Sequence, residues 1–134
     1  MRAATRVLDS HSILAFIKGE AEAEQMIQVF RSARNSGHPM LLSAVNWGEI
    51  VYVTLRTAGR ERADIVEHLI SKLQIEVIPA DIPLARQAAE FKARGGISYA
   101  DCFAAALAKL HKAELVTGDK EFKQVEGEVK ILWI

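Results

Sequence analysis

The sequence predicts an α/β protein, a three-layer α/β/α sandwich around a central, mostly parallel sheet of four or five strands. Short apolar segments of strand length alternate with longer segments of helical period along the chain. The short segments are apolar on both faces, as strands covered by helices on both sides are. No linker, repeat or low-complexity segment interrupts this alternation over 134 residues. We therefore expect one domain spanning residues 1–134.

The first part of the chain predicts one strand and two helices. Residues 5–8 form a short strand that leads into Asp9-Ser10-His11-Ser12, which is typical of a strand-to-helix joint. A brief helix over 13–17 stops at Gly19. A longer amphipathic helix over 20–35 follows, and the segment from Asn35 to Pro39 closes it.

The middle of the chain repeats the pattern. Residues 40–43 are a buried strand, and a helix follows over about 44–57. Gly59 separates it from a further amphipathic helix, whose apolar residues are Ile65, Val66, Leu69, Ile70 and Leu73.

The last part of the chain supplies three strands and two helices. The strands are 75–78, 114–117 and 129–134. One helix opens at 81–83 and ends at Gly95-Gly96. The other runs from Ser98 to Leu110 and is apolar nearly all round, which places it inside the domain.

Asp101 lies in the first turn of that apolar helix, where an uncompensated carboxylate is costly. One explanation is structural, because Ser98-x-x-Asp101 resembles a capping box at the positive end of the helix. The other is chemical, because three more acids can reach the same edge of the sheet. Asp9 follows the first strand, Asp119 follows the fourth, and Glu49 lies in a largely apolar helix.

Each of these acids also has a structural explanation on its own. Asp9 and Asp119 can cap helices, and Glu49 can occupy an exposed helix position. Ligands bind open parallel sheets at the carboxyl ends of the strands, where the strand order reverses. If the first and fourth strands are neighbours, their carboxylates converge there, and a cation makes the crowding tolerable. An all-oxygen ligand set favours Mg²⁺ or Mn²⁺ over Zn²⁺ and points to phosphodiester chemistry.

The composition excludes several classes of function. Seventeen basic and seventeen acidic residues give a net charge of zero, so a polyanion must be held by a local patch or through a metal. The single cysteine, Cys102, cannot form an internal disulfide and suits a reducing cytosol. We expect no signal peptide and no membrane span, and therefore a cytoplasmic protein.

The motifs together resemble those of the PIN domain family, in its VapC-like toxin branch. The resemblance covers nearly the whole chain, and its blocks are Val7-Leu-Asp9-Ser10, Ser43-x-x-Asn46-x-x-Glu49, Ser98-x-x-Asp101-Cys-Phe and Leu-Val-Thr117-Gly-Asp119-x-x-Phe122. It implies a Mg²⁺- or Mn²⁺-dependent endoribonuclease, inhibited by a cognate antitoxin in a VapBC-type toxin–antitoxin system. It also implies a homodimer that binds DNA only through the antitoxin complex.

Carried over residue by residue, the resemblance makes Asp9, Glu49, Asp101 and Asp119 the catalytic acids. Asp9, Asp101 and Asp119 hold one or two ions, directly or through water, and Glu49 is a ligand or an orienting base. The supporting polar positions are Ser10, Asn46, Ser98 and Thr117. His11 receives no role, and Glu121 is interpreted as a solvated turn residue.

Other functions stay open at this point. A phospho-accepting receiver domain also gathers acids at a sheet edge, but Asp81 and Lys130 fit its acceptor and lysine poorly. A non-catalytic binding module of the PIN fold is the other alternative. Two basic groups are candidate phosphate contacts or plain solvated helix faces: Arg56, Arg60 and Arg62, and Arg86, Lys92 and Arg94. Three aromatic residues are candidates for an antitoxin groove or for core packing: Phe16, Trp47 and Tyr52.

Overall fold

Five parallel strands form the central sheet in the computed structural model, which describes residues 5–134. The strand order is β3-β2-β1-β4-β5, and every neighbouring pair is parallel. The strands are β1 (Arg6–Leu8), β2 (Met40–Ser43), β3 (Ile75–Ile78), β4 (Glu114–Thr117) and β5 (Ile131–Trp133). The order reverses at β1, which lies between β2 and β4. The first four residues of the predicted domain lie outside the described range.

Within residues 5–134, five helices and one 3-10 helix connect the strands. They are α1 (Ser10–Lys18), α2 (Ala23–Ser36), α3 (Ala44–Lys72), α4 (Ile82–Ala93), α5 (Tyr99–Leu110) and the 3-10 helix Lys120–Val125. Four helices begin with a side chain that accepts a hydrogen bond from a backbone N–H of the first turn, as short polar residues do at N-caps. These capping residues are Asp9, Ser43, Asp81 and Ser98.

Alternate strand residues face two separate hydrophobic cores. Val7, Leu41 and Leu115 pack against α4, α5 and the 3-10 helix on one face. Their neighbours Leu8, Leu42 and Val116 pack against α1, α2 and α3 on the other. Period-two alternation in strands covered on both sides produces this division. The predicted three-layer α/β/α sandwich is confirmed, with five strands.

Several local features differ from the sequence prediction, and β5 covers only 131–133 of the predicted 129–134. The first helix starts at Ser10, before the apolar residues, because Asp9 caps it and the polar first turn is buried. The second starts at Ala23, since the preceding residues form a turn. The 3-10 helix after β4 was not predicted.

Gly59 divides α3 into two helical halves that run in different directions. Its backbone angles are φ 87° and ψ 177°, well outside the helical region. Glycine alone adopts this conformation readily. The predicted interruption at Gly59 is confirmed.

Among the helices of residues 5–134, none combines the length and the apolar character that a bilayer-spanning segment needs.

Candidate metal centre

The acids after β1 and β4 lie at the carboxyl edge of the sheet, where the strand order reverses. β1 and β4 are paired directly, with Leu8 opposite Val116. Asp9 follows β1 immediately, and Asp119 lies two residues beyond the end of β4. The first and fourth strands are neighbours, which is the condition under which their carboxylates were expected to converge, and their pairing brings these two segments together.

Asp9 is completely buried and fully engaged by hydrogen bonds. Its Oδ1 accepts from the Ser12 backbone N–H at 2.8 Å, and its Oδ2 accepts from the Thr117 hydroxyl at 2.5 Å. Burial raises the pKa of the Asp9 carboxyl above its ordinary value, and the hydrogen bonds from Thr117 and Ser12 oppose the increase. Asp9 is therefore both the cap of α1 and a rigid oxygen donor at the base of the site.

Thr117 connects Asp9 with the next acid. Its hydroxyl oxygen also accepts a hydrogen bond from the Asp119 backbone N–H at 3.0 Å. One buried hydroxyl thus fixes the carboxylate after β1 and the backbone after β4. The resemblance implied a supporting role for Thr117 in catalysis, and that role stays a prediction.

Asp101 faces the same edge from the first turn of α5. Burial raises the pKa of Asp101 to about 7, and a hydrogen bond with Ser98 opposes the increase. Three other negative charges raise it further: Asp9, Asp119 and Glu49. Asp101 is therefore repelled by the three other predicted acids. A bound cation would relieve this repulsion.

Glu49 lies half-buried on α3 and is held by α1. The Ser10 hydroxyl donates a hydrogen bond to its Oε1. Ser10 belongs to the block that follows β1, so its contact with Glu49 joins segments 39 residues apart. The exposed position considered for Glu49 is not what the structure contains.

Asn46 is buried and joins α3 to α5 rather than facing the acids. Its side-chain amide donates to the Ala100 carbonyl at 3.0 Å, and its Oδ1 accepts from the Ser43 hydroxyl at 2.7 Å. Asn46 therefore fixes the start of α5, and with it Asp101, relative to α3.

Glu121 joins the acids, which sequence reasoning missed. One oxygen of each of Asp101, Asp119 and Glu121 lies within 4.8 Å of the other two. The 3-10 turn produces this arrangement, since Asp119 caps it by accepting from the Glu121 N–H at 3.0 Å. Glu121 is exposed, as expected of a turn residue, yet its carboxylate lies at the site. The spacing Asp119-x-Glu121 was the only signal available, and it is a common one.

Gly118, between Thr117 and Asp119, packs closely against His11 and the backbone of Ile134. A Cβ at this position would lie 3.1 Å from His11 Nε2 and 3.2 Å from the Ile134 carbonyl oxygen. His11 thus packs against the Thr117-Gly118-Asp119 segment. The imidazole also lies near enough to Asp9 to oppose the increase in the pKa of that carboxyl.

Side chains in both predicted basic groups have partners within the protein. In the second group, Arg94 pairs with Glu128 at 2.6 Å and Lys92 donates to the Ile97 carbonyl at 3.0 Å. In the first group, Arg60 pairs with Asp64, and the Arg56 guanidinium lies 5.6 Å from the centre of the Tyr52 ring.

The fit of a divalent ion rests on the donor set. Carboxylate oxygens of Asp101, Asp119 and Glu121 are close enough to share an ion, whereas Asp9 and Glu49 lie outside this group of three. The residues are hard oxygen donors, which suit Mg²⁺ or Mn²⁺.

Asp81, the acceptor that a receiver domain would need, caps α4 beyond the edge strand β3 instead.

Comparison with known proteins places the chain beside one family. The family model for the PIN domain matches residues 6–128. No curated protein sequence gives a significant match. Solved structures match over nearly the whole chain, although at low sequence identity.

Three of these structures illustrate the similarity. VapBC2 from Rickettsia felis, bound to a DNA fragment from its promoter, superposes with a TM-score of 0.75 at 18% identity, covering 97% of this chain and 98% of that chain. DNA-bound VapBC from Salmonella typhimurium gives 0.73 at 21% identity, covering 97% and 98%. Mycobacterium tuberculosis VapC20, a sarcin–ricin loop cleaving toxin, gives 0.67 at 16% identity, covering 83% and 87%. At these identities the structures establish a shared fold.

Proposed function

The chain belongs to the PIN domain family, and from this premise we propose that it is a Mg²⁺- or Mn²⁺-dependent endoribonuclease. The observation that carries the proposal is the convergence of carboxylates at the switch point of the sheet. Asp101 has a pKa of about 7 because it is buried among other negative charges. A perturbed carboxylate beside several others is typical of a functional site.

The proposed ligands are Asp9, Asp101 and Asp119, with Glu49 as a further ligand or an orienting base. Glu121 is added to this set because its oxygen lies near those of Asp101 and Asp119. When bound, a divalent ion at such a site activates water and stabilises the negative charge that develops on a phosphodiester. The proposal covers one ion or a pair of ions held by these oxygens.

The protein's own residues hold the carboxylates in place before any ion arrives. Thr117 and Ser12 fix the two oxygens of Asp9. Ser10 fixes Glu49, and Asn46 fixes the start of α5. Ser98 caps α5 by accepting from the Asp101 N–H at 3.2 Å. Groups that orient ligands in this way raise metal affinity and activity.

We further propose that the protein is the toxin of a VapBC-type toxin–antitoxin pair. Support comes from the fold shared with VapBC2 of Rickettsia felis and VapBC of Salmonella typhimurium, both in DNA-bound complexes. On this proposal the chain is a cytoplasmic homodimer that is inhibited by an antitoxin. It contacts DNA only through that partner.

Cleavage of RNA tests the proposed activity. Wild-type protein should cleave single-stranded RNA in Mg²⁺ or Mn²⁺ and lose all activity in EDTA. Asp9→Asn and Asp101→Asn should be inactive, whereas Asp64→Asn, which alters an exposed acid of α3, should be fully active. Equal activity in wild type and Asp101→Asn, or activity that survives EDTA, would exclude the metal-dependent nuclease.

Growth tests the proposed biological role separately. Expression of the chain without a partner gene should arrest growth, and expression of the Asp101→Asn form should not. Arrest by both forms would show that toxicity does not depend on the acids.

A further inference from the structure

The first half of α3, residues 44–58, carries only two charged side chains, Glu49 and Arg56. They are seven residues apart, so they lie on one side of the helix, about 10 Å apart along its axis. Tyr52 lies between them on the same side. Glu49 thus marks the end of this face at the site, and Arg56 the end away from it.

Tyr52 and Arg56 contact each other at the surface, outside the hydrophobic cores. Tyr52 is 49% exposed, whereas Ile50 and Thr54 on the opposite side of α3 are buried. The Arg56 guanidinium lies 5.6 Å from the centre of the Tyr52 ring. A cation over an exposed ring contributes only about 0.5–1 kcal/mol to a helix. Stability therefore gives a weak reason for an exposed tyrosine beside the acidic site.

The charge of the site supplies a stronger reason. The ionised carboxylates of the site repel the phosphates of any nucleic acid that approaches, and the chain has no net positive charge to offset them. Arg56 is exposed and takes part in none of the ion pairs found within residues 5–134. A cation and an aromatic ring beside each other are the two elements from which single-strand binding surfaces are built.

We propose that Tyr52 and Arg56 form a subsite for the single-stranded RNA next to the phosphate that is cleaved. A base stacks on the exposed part of the Tyr52 ring, and Arg56 binds a backbone phosphate. The subsite rests on the proposed ribonuclease function and gives the strand a direction, along α3 away from Glu49. Stacking and phosphate contact are tolerant of sequence, so the subsite holds the strand without selecting its bases.

Binding of a fluorescein-labelled, mixed-sequence oligoribonucleotide in EDTA tests the subsite without cleavage. Tyr52→Ala should weaken binding about 5- to 150-fold, from the stacking of one base. Tyr52→Phe, which keeps the ring, should bind like wild type. Arg56→Ala should also weaken binding, and Arg62→Ala, an equal loss of charge beyond Gly59 on the same helix, should not.

The salt dependence separates the two roles. Loss of one phosphate contact to a single strand should reduce the slope of log K against log salt by about 0.7 in Arg56→Ala. Tyr52→Ala should leave the slope unchanged. Binding by Tyr52→Ala and Arg56→Ala that matches wild type, or no binding by wild type, would overturn the subsite.

Parallel assays distinguish this proposal from the others. Cleavage by wild type in Mg²⁺ with an unchanged KM in Tyr52→Ala would remove the subsite and leave the nuclease. No cleavage, with the predicted binding pattern intact, would remove the nuclease and leave the subsite. If Tyr52→Ala converts a dimer to a monomer in sedimentation while RNA binding is unchanged, this face is an interface between two copies and the subsite is wrong.

Discussion

Asp101 is the residue on which the account of the site depends. A carboxylic acid that holds its proton to about pH 7 is a poor structural cap, since capping favours the charged form. Ser98 supplies the actual cap of α5 through its side-chain oxygen. Asp101 is therefore retained at a cost to the folded state, which a bound cation would reverse.

Replacement of Asp101 should stabilise the metal-free protein in a pH-dependent way. The folded pKa of about 7 lies above the unfolded value of 3.8. Between these values the unfolded chain loses the proton first, so the free energy of unfolding falls as the pH rises. Above about pH 7 the full penalty is present, and below pH 3.8 it is absent.

At pH 8 in EDTA, the free energy of unfolding of Asp101→Asn should therefore be about 1–2 kcal/mol higher than that of wild type. The gain is smaller than the full pKa shift implies, because solvent screens part of the charge of Asp101. The two should be equal near pH 4. Urea unfolding at both pH values measures the difference, with Asp64→Asn as the exposed control. An Asp101→Asn protein that is less stable than wild type at pH 8 would contradict the proposed strain.

Thr117 offers a second test at the scale of a single side chain. Thr117→Val keeps the shape but removes the hydrogen bond to the buried Asp9 Oδ2. An unsatisfied buried acceptor costs about 1–3 kcal/mol, and unfolding in EDTA should show a loss of this size. Thr54→Val is the matched control, since the buried Thr54 hydroxyl donates only to the Ile50 carbonyl of its own helix. Equal losses in the two variants would mean that Thr117 does not hold Asp9.

At the scale of elements, the site is assembled from the ends of strands and the starts of helices. β1 and β4 end beside each other, and α1 and α5 begin there. α3 adds Glu49 and the exposed Tyr52–Arg56 face on a helix that starts directly from β2. The direction of α3 changes at Gly59, so this face ends two residues after Arg56.

Two glycines of α3 should respond oppositely to alanine. Gly59 has φ 87° with open space around its Cβ position, so Gly59→Ala should cost about 1–3 kcal/mol through backbone strain alone. Gly48 lies within the helix with equal space, so Gly48→Ala should add about 0.5–1 kcal/mol. Thermal or urea unfolding measures both. A neutral Gly59→Ala would show that the bend does not need a glycine.

The elements were predictable where one local signal decided them. The strands at 40–43, 75–78 and 114–117 have the predicted bounds, because each is a short apolar run between turn residues. The start of α1 was placed too late, since buried Ser10 and Ser12 look solvent-exposed in sequence.

The candidate site was predictable to a smaller extent. Asp9 and Asp119 each follow a predicted strand, so placing them at the same edge required only that β1 and β4 be neighbours. Ligand sites of parallel sheets lie at this carboxyl edge. The contact of Ser10 with Glu49 depends on how α1 crosses α3, and Glu121 on an unpredicted 3-10 turn. Such contacts depend on helix packing that no local pattern encodes.

At the scale of the whole molecule, a neutral chain brings five of its seventeen acidic residues to one edge of the sheet. The opposing totals of seventeen basic and seventeen acidic residues leave no general attraction for a polyanion. Close approach of a substrate with phosphates requires that the charge at that edge be offset, by a bound ion or by a nearby cation such as Arg56. This requirement links the metal, the RNA and the exposed Arg56 in one account.

Titration with Mn²⁺, followed by the electron paramagnetic resonance signal of the free ion, tests the central claim most directly. Wild type should remove Mn²⁺ from solution, Asp101→Asn should bind it at least tenfold more weakly, and Asp64→Asn should match wild type. No Mn²⁺ uptake by wild type, or equal uptake by wild type and Asp101→Asn, would contradict the claim that these carboxylates meet to hold a divalent ion.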